Sequence, residues 1–230
     1  MSGQNEYILF DFPDERLRDD ALMHTLLGKI AEYDRFRYLK KAIVCDDSPG
    51  DIYVPNTPQT LAGAWANAKR AVQRYGGYWM EFEDTDGVKM SFGFNPQEPR
   101  RLFLQTSSSV LNKRDQSENV RAFVSVMQKI YDVLHPDYGC GLFSYENHDS
   151  VPTGTAPFAI WDYNLFSPAL VEQFGRDRLL ALPAWRKVEF KDGGLLLEMS
   201  PQPVVDALAH RDQYKAAAAA LGFERVIMGG

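Results

Sequence analysis

Four acids crowd one short stretch of the sequence. Glu81 and Glu83 alternate along Tyr78-Trp-Met-Glu-Phe-Glu83, and Asp84 and Asp86 follow at once. Paired carboxylates are the raw material of general acid–base catalysis, in which one group keeps a proton and its neighbour sheds it. The spacing here argues for a plainer use. Alternation with Tyr78, Met80 and Phe82 puts Glu81 and Glu83 on the wet face of a strand, and Asp84 and Asp86 belong to the turn Asp84-Thr-Asp-Gly87. Such a surface attracts a basic partner, which requires charge and exposure but no shifted pKa. Trp79 shares the face of the two glutamates. Either a second layer covers that face or Trp79 stands ready as a contact anchor. Asp46, Asp47 and Asp51 make a secondary acidic candidate in and beside the loop Asp46-Asp-Ser-Pro-Gly50.

Other chemistries find less support. Glu146-Asn-His148-Asp149 offers three ligand types in one loop, with His210 and Asp212 able to approach from the C-terminal helix region. A zinc site needs three or four ligands fixed by outer partners, and a polar loop accounts for the same residues. The alternative kept open is a metal-dependent enzyme using residues 146–149. The sequence has no Gly-x-Ser-x-Gly elbow, no Walker loop and no Gly-x-Gly-x-x-Gly after a strand. Cys45 and Cys140 lie in apolar, strand-like surroundings without zinc spacing, so buried thiols are expected, with a disulfide between them as the alternative. No cofactor is expected.

The elements that must position these groups read as an α+β fold: a mainly antiparallel sheet built from hairpins and packed against helices. Tyr7–Phe10 and Tyr38–Cys45 read as strands, separated by a helix from Pro13 to about Asp34 with Leu17, Ala21, Leu22, Leu26, Ile30 and Tyr33 at helical spacing. Residues 53–57 read as irregular. Thr57-Pro58 starts a second helix, whose stripe runs Leu61, Trp65, Ala68, Val72, Tyr75 before Gly76-Gly77. The clearest hairpin follows, Tyr78–Glu83 against Val88–Phe94, with Arg101–Gln105 as a third strand. A helix from about Glu118 to Leu134 carries Val120, Phe123, Met127, Ile130 and Leu134 and stops before Pro136. Then come a strand at Gly141–Tyr145, an aromatic strand at Trp161–Leu165, a short helix from Pro168 to about Phe174, a hairpin around Asp192-Gly-Gly194, and an alanine-rich helix from about Asp212 to Leu221. Trp161 and Trp185 are expected in the core. Residues 1–57 form an N-terminal extension or subdomain before a domain at 58–230, or the whole is one domain.

The chain has 230 residues and a formal net charge of -6, which argues against a nucleic-acid binder. The first residues lack a basic region followed by a long apolar run, and no run approaches the roughly 20 residues of a membrane span. The expected location is the cytoplasm, without a membrane partner.

From Thr57 to Gly222 this order of elements resembles the bacterial immunity proteins of polymorphic-toxin and type VI secretion systems, immunity protein 52 type. The marks are Gly77-Tyr-Trp-Met-Glu-Phe before the acidic turn, Val88-Lys-Met-Ser-Phe-Gly-Phe-Asn-Pro96 after it, and His135-Pro-Asp-Tyr-Gly139. They continue with Trp161-Asp-Tyr-Asn-Leu165, Asp192-Gly-Gly-Leu-Leu-Leu-Glu198 and the helix beginning near His210. The resemblance implies a protein that is not an enzyme and that neutralises a cognate toxin by covering its active or substrate site. The acidic balance suits a basic toxin. A non-catalytic, self-associating scaffold is the other class kept open.

Overall fold

The structure, a computed structural model, describes residues 5–11, 19–31, 41–44, 52–55, 78–83, 89–94, 101–107, 116–144, 159–201 and 208–226. In chain order its elements are β1 (Asn5–Asp11), α1 (Asp20–Ala31), β2 (Lys41–Val44), β3 (Ile52–Pro55), β4 (Tyr78–Glu83), β5 (Lys89–Phe94), β6 (Arg101–Ser107), α2 (Gln116–Leu134) and β7 (Tyr138–Ser144). They continue with β8 (Ala159–Ile160), β9 (Tyr163–Phe166), α3 (Pro168–Phe174), α4 (Arg176–Ala181), β10 (Arg186–Glu189), β11 (Leu195–Glu198), α5 (Arg211–Leu221) and β12 (Arg225–Val226). The fold is α+β. Eight strands form one sheet in the order β10-β11-β9-β7-β1-β6-β5-β4, and every neighbouring pair is antiparallel. β8 and β12 form a parallel pair, and β2 with β3 an antiparallel one. The irregular reading of residues 53–57 is thus corrected at Ile52–Pro55, whose β-branched and aromatic residues pair with β2.

The register is continuous across the whole sheet. One row runs Met80, Phe92, Leu104, Ile8, Gly141, Tyr163, Glu198, Arg186; the next runs Trp79, Gly93, Phe103, Leu9, Cys140, Asn164, Leu197, Lys187. Because side chains alternate along a strand, these rows belong to opposite faces. All four residues of β9 and all four of β11 are buried, so at this end both faces are covered. One layer comes from α3, α4 and α5, whose Val171, Leu179, Tyr214 and Ala217 join Phe166, Leu195 and Leu197 in a single cluster. On the other face lies α2, whose Tyr131 ring stacks on Phe190 with centroids 3.9 Å apart. α2 is buried along more than the expected stripe. Met127, Ile130 and Leu134 are buried as the spacing predicts, but so are Val124, Val126 and Tyr131, because α1 packs against it as well.

Local chemistry sets the element ends. Asp19 Oδ1 accepts the N–H of Leu22 at 2.9 Å and caps α1. Ser167 Oγ caps α3 by accepting from Leu170 N–H, with Pro168 in the first turn. Arg178 Nε donates to Ala220 O at 2.9 Å and satisfies a carbonyl in the last turn of α5. The aromatic strand expected at Trp161–Leu165 is interrupted at Asp162. Buried Asn164 folds back there, accepting from Trp161 N–H at 2.9 Å and donating to its C=O at 2.7 Å. Tyr214 of α5 donates its hydroxyl to Asp162 Oδ1 at 2.7 Å. Trp161 is fully buried as expected. Trp185 is not: it is 46% exposed, because it enters β10 at the rim of the sheet.

Candidate functional site

β4 carries Trp79, Glu81 and Glu83 at alternate positions, so the three share one sheet face. It is the last strand of the eight at its end of the sheet, with β2 lying beside it. Its antiparallel pairing with β5 sets Trp79 opposite Gly93, Glu81 opposite Ser91 and Glu83 opposite Lys89. A cross-strand Glu–Lys position is favourable by a few tenths of a kcal/mol to about 1 kcal/mol. Hence the register gives Glu83 a partner of opposite charge and gives Glu81 a neutral one. Asp84, Asp86, Asp46, Asp47 and Asp51 lie outside the described residues, as do the loop 146–149, Cys45 and Trp65. The helix expected from Thr57 to Tyr75 lies outside them too.

The best-defined polar cluster stands elsewhere, where the end of α2 meets the turn between β10 and β11. Asp192 is its centre. Its Oδ2 accepts the hydroxyl of Tyr131 at 2.9 Å and stands 2.9 Å from Nδ1 of His135, while its Oδ1 accepts the N–H of Gly194 at 2.9 Å. Partial burial works against the charged form of Asp192, but the bonds from Gly194, His135 and Tyr131 outweigh it and hold the carboxyl below its ordinary range. Burial, with the hydrogen bond to Asp192 and the charges of Asp192 and Asp132, pushes the Tyr131 phenol far up, so it stays a donor. His135 takes a left-handed backbone at φ 45°, uncommon for a side chain of this size, as the chain turns from α2 through Pro136 into β7.

Asp–His pairs serve nucleophilic enzymes by orienting an imidazole toward a hydroxyl or thiol. Here both oxygens of the carboxylate are engaged, Oδ2 in holding a helix end to the hairpin turn and Oδ1 in closing the turn itself. We therefore read the cluster as a tie between layers. Replacing Asp192 by Asn keeps an acceptor for Gly194 but loses the charge that meets Tyr131 and His135. It is expected to cost about 1 kcal/mol at pH 7. The wild-type advantage rests on a depressed folded pKa, so it is present above the unfolded pKa and is lost as pH falls through the folded value. Urea denaturation at pH 7 and again in acid checks both: an equal gap at the two pH values would contradict the tie.

A second buried acid stands on β11. Glu198 is 3% exposed, and its nearest partner is Arg186 across the strand pair, with Nη1 3.5 Å from Oε1. That is too long for a good hydrogen bond. Burial raises its carboxyl to about 7, with Arg186 pulling the other way. Neither Asp192 nor Glu198 was a site candidate from sequence. Both sit in the stretch Asp192–Glu198, whose turn glycines were visible while their partners, sixty residues upstream or across a strand, were not.

Among the described residues no group of three or more His, Cys, Asp or Glu stands together to hold a metal ion, and no helix is long and apolar enough to cross a membrane. A scan against protein-family models and a search of curated proteins return no match.

Proposed function

We propose that this protein is an immunity protein, a non-catalytic binder that neutralises a cognate bacterial toxin in the cytoplasm by covering its active or substrate site. The observation that supports this reading is the placement of Trp79, Glu81 and Glu83 on one face of β4, the last strand of an extended sheet. A strand whose backbone is already paired along its length adds little backbone ordering cost on binding. The net charge of -6 suits a basic toxin and speeds its encounter. The sequence adds Asp84 and Asp86 directly after Glu83, and Asp46, Asp47 and Asp51 as secondary candidates, all outside the described residues.

The test is growth rescue. The product of the adjacent upstream gene is expressed in a test host with and without this protein. Relief of toxicity is the expected result, and a harmless neighbour or unrelieved toxicity would sink the immunity reading. Charge reversal at Glu81, Glu83, Asp84 and Asp86 then locates the surface. It is expected to weaken toxin binding at least about tenfold and to remove the weakening of binding by added salt. Unchanged affinity in a titration calorimeter would move the interface elsewhere and leave the immunity reading intact.

A further inference from the structure

At the opposite end of the sheet from β4, β10 is the terminal strand, and among the described residues no strand pairs with its outer side. Phe190 N–H donates to Gly194 O at 2.8 Å, which starts the β10–β11 ladder. Antiparallel ladders alternate bonded and non-bonded residue pairs. Val188 and Arg186 therefore turn their backbone groups toward β11, and Lys187 and Glu189 turn theirs outward. The side chains along this rim are Trp185, Arg186, Glu189 and Lys191, all exposed, with Lys187 and Val188 half-buried.

Charges on an edge strand often serve only to prevent pairing. The order of residues here does more than repel. We propose that β10 pairs antiparallel with β10 of a second copy, about a two-fold axis passing through Val188. In this register Lys187 faces Glu189 of the second copy, twice by symmetry; Arg186 faces Phe190, Trp185 faces Lys191, and Val188 faces itself. Opposite charges and cation–aromatic neighbours fill every position except the central one, where two valines meet. Shifting the register by two residues in one direction sets Lys187 against Lys187, and in the other sets Glu189 against Glu189. A one-residue shift would put opposite sheet faces side by side. Lys187 and Glu189 are also residues with outward backbone groups, so this register closes the ladder hydrogen bonds, and charge selects it over the two-residue shifts, which close them as well. Glu189 already receives Arg176, and a carboxylate accepts several donors. Arg186 keeps its approach to Glu198 from the inner side. The contact is isologous and closes at two copies, joining two eight-stranded sheets into one.

Sedimentation velocity on the purified full chain over a wide range of concentration tests this, the monomer mass being 26.1 kDa. A reversible monomer–dimer equilibrium is expected. Lys187→Glu or Glu189→Lys alone should weaken it about tenfold, by placing like charges at two symmetric positions. The double change Lys187→Glu with Glu189→Lys swaps the charges and should restore dimerisation to within about twofold of wild type. A monomer at every concentration overturns the proposal, and so does a dimer that the single changes leave intact or that the double change fails to restore. A second measurement does not depend on charge. Val188→Cys should form a disulfide-linked dimer under mild oxidation, because its Cα meets its own copy across a close, non-bonded pair. Lys187→Cys, which faces position 189, should not. Equal cross-linking at both positions, or at neither, also overturns the register.

Discussion

Replacing Gly194 by Ala is expected to destabilise the protein by about 3 kcal/mol, close to the upper end for overpacking a buried site. A Cβ at Gly194 would lie 1.9 Å from Tyr131 Oη, 2.8 Å from Cζ of the same ring, and 3.0 Å from the backbone oxygen of Phe166. The ring has nowhere to retreat. It is fully buried, stacked on Phe190 and bonded through its hydroxyl to Asp192. The methyl group would force the ring out and break that bond, or spread β9 from β11. Neighbouring Gly193 has the opposite profile: φ is 95° and a Cβ would meet nothing within 4 Å. Its substitution costs only backbone conformation, about 1 kcal/mol. Chemical denaturation of the two variants separates these causes. Adding Tyr131→Phe to Gly194→Ala removes the oxygen that clashes worst and should recover part of the loss. If Gly194→Ala unfolds at the wild-type midpoint, α2 does not pack on the β10–β11 turn as described.

Glu198→Gln should make the protein more stable at pH 8, by up to about 3 kcal/mol, and leave it nearly unchanged near pH 4.5. The figure is the span between an ordinary glutamate and a folded value of about 7, at 1.36 kcal/mol for each unit of pKa. Because the folded pKa is raised, the folded state holds a proton that the unfolded state has already lost. The stability linked to Glu198 is therefore fully present below the unfolded pKa and is lost as pH rises through about 7. Glutamine keeps the shape and never ionises. Its cost is the loss of the contact with Arg186, which is small because the Arg186 side chain is 44% exposed. Urea titrations of both proteins at several pH values between 4.5 and 8 give the difference directly. Parallel curves would mean that water reaches Glu198 and that its burial is not as described. Asp192 slopes the other way and in a more acidic range, so the wild-type-minus-variant difference isolates Glu198.

The hairpins were the most legible part of this sequence, because period two and turn glycines are local signals. Tyr78–Glu83 with Lys89–Phe94, and Arg186–Glu189 with Leu195–Glu198, lie where alternation and the Asp-Gly turns put them. The alanine-rich helix was predicted from Asp212 to Leu221 and runs from Arg211, with Gly222 left-handed at its end. β7 was recognised only from Gly141, although it starts at Tyr138, since Gly139 and Gly141 weaken a strand pattern that burial restores. α4 was missed because six residues show less than two turns of periodicity. Trp185 shows a different limit. Aromatic character says what a residue gains from burial but not whether another layer exists to bury it. Of the candidate site, the alternation of Trp79, Glu81 and Glu83 was readable, and their pairing with Gly93, Ser91 and Lys89 follows the hairpin. The Asp192 junction was not readable, since it depends on His135 and Tyr131 arriving from 57 and 61 residues away.

β1 sits in the middle of the sheet, with β6 on one side and β7 on the other. In the strand order, the strands on its two flanks are joined through those seven residues. β1 is made before both of its neighbours and, of the strands in this sheet, waits longest for them. At 5–20 residues per second, roughly ten seconds pass between the synthesis of Asp11 and that of Ser144. Over that interval at least one edge of Tyr7-Ile-Leu-Phe10, the one that β7 will take after β6 has taken the other, is open to any other edge it meets. In the cell, the yield of folded protein would then be governed by how well this strand is shielded until its later neighbours are made.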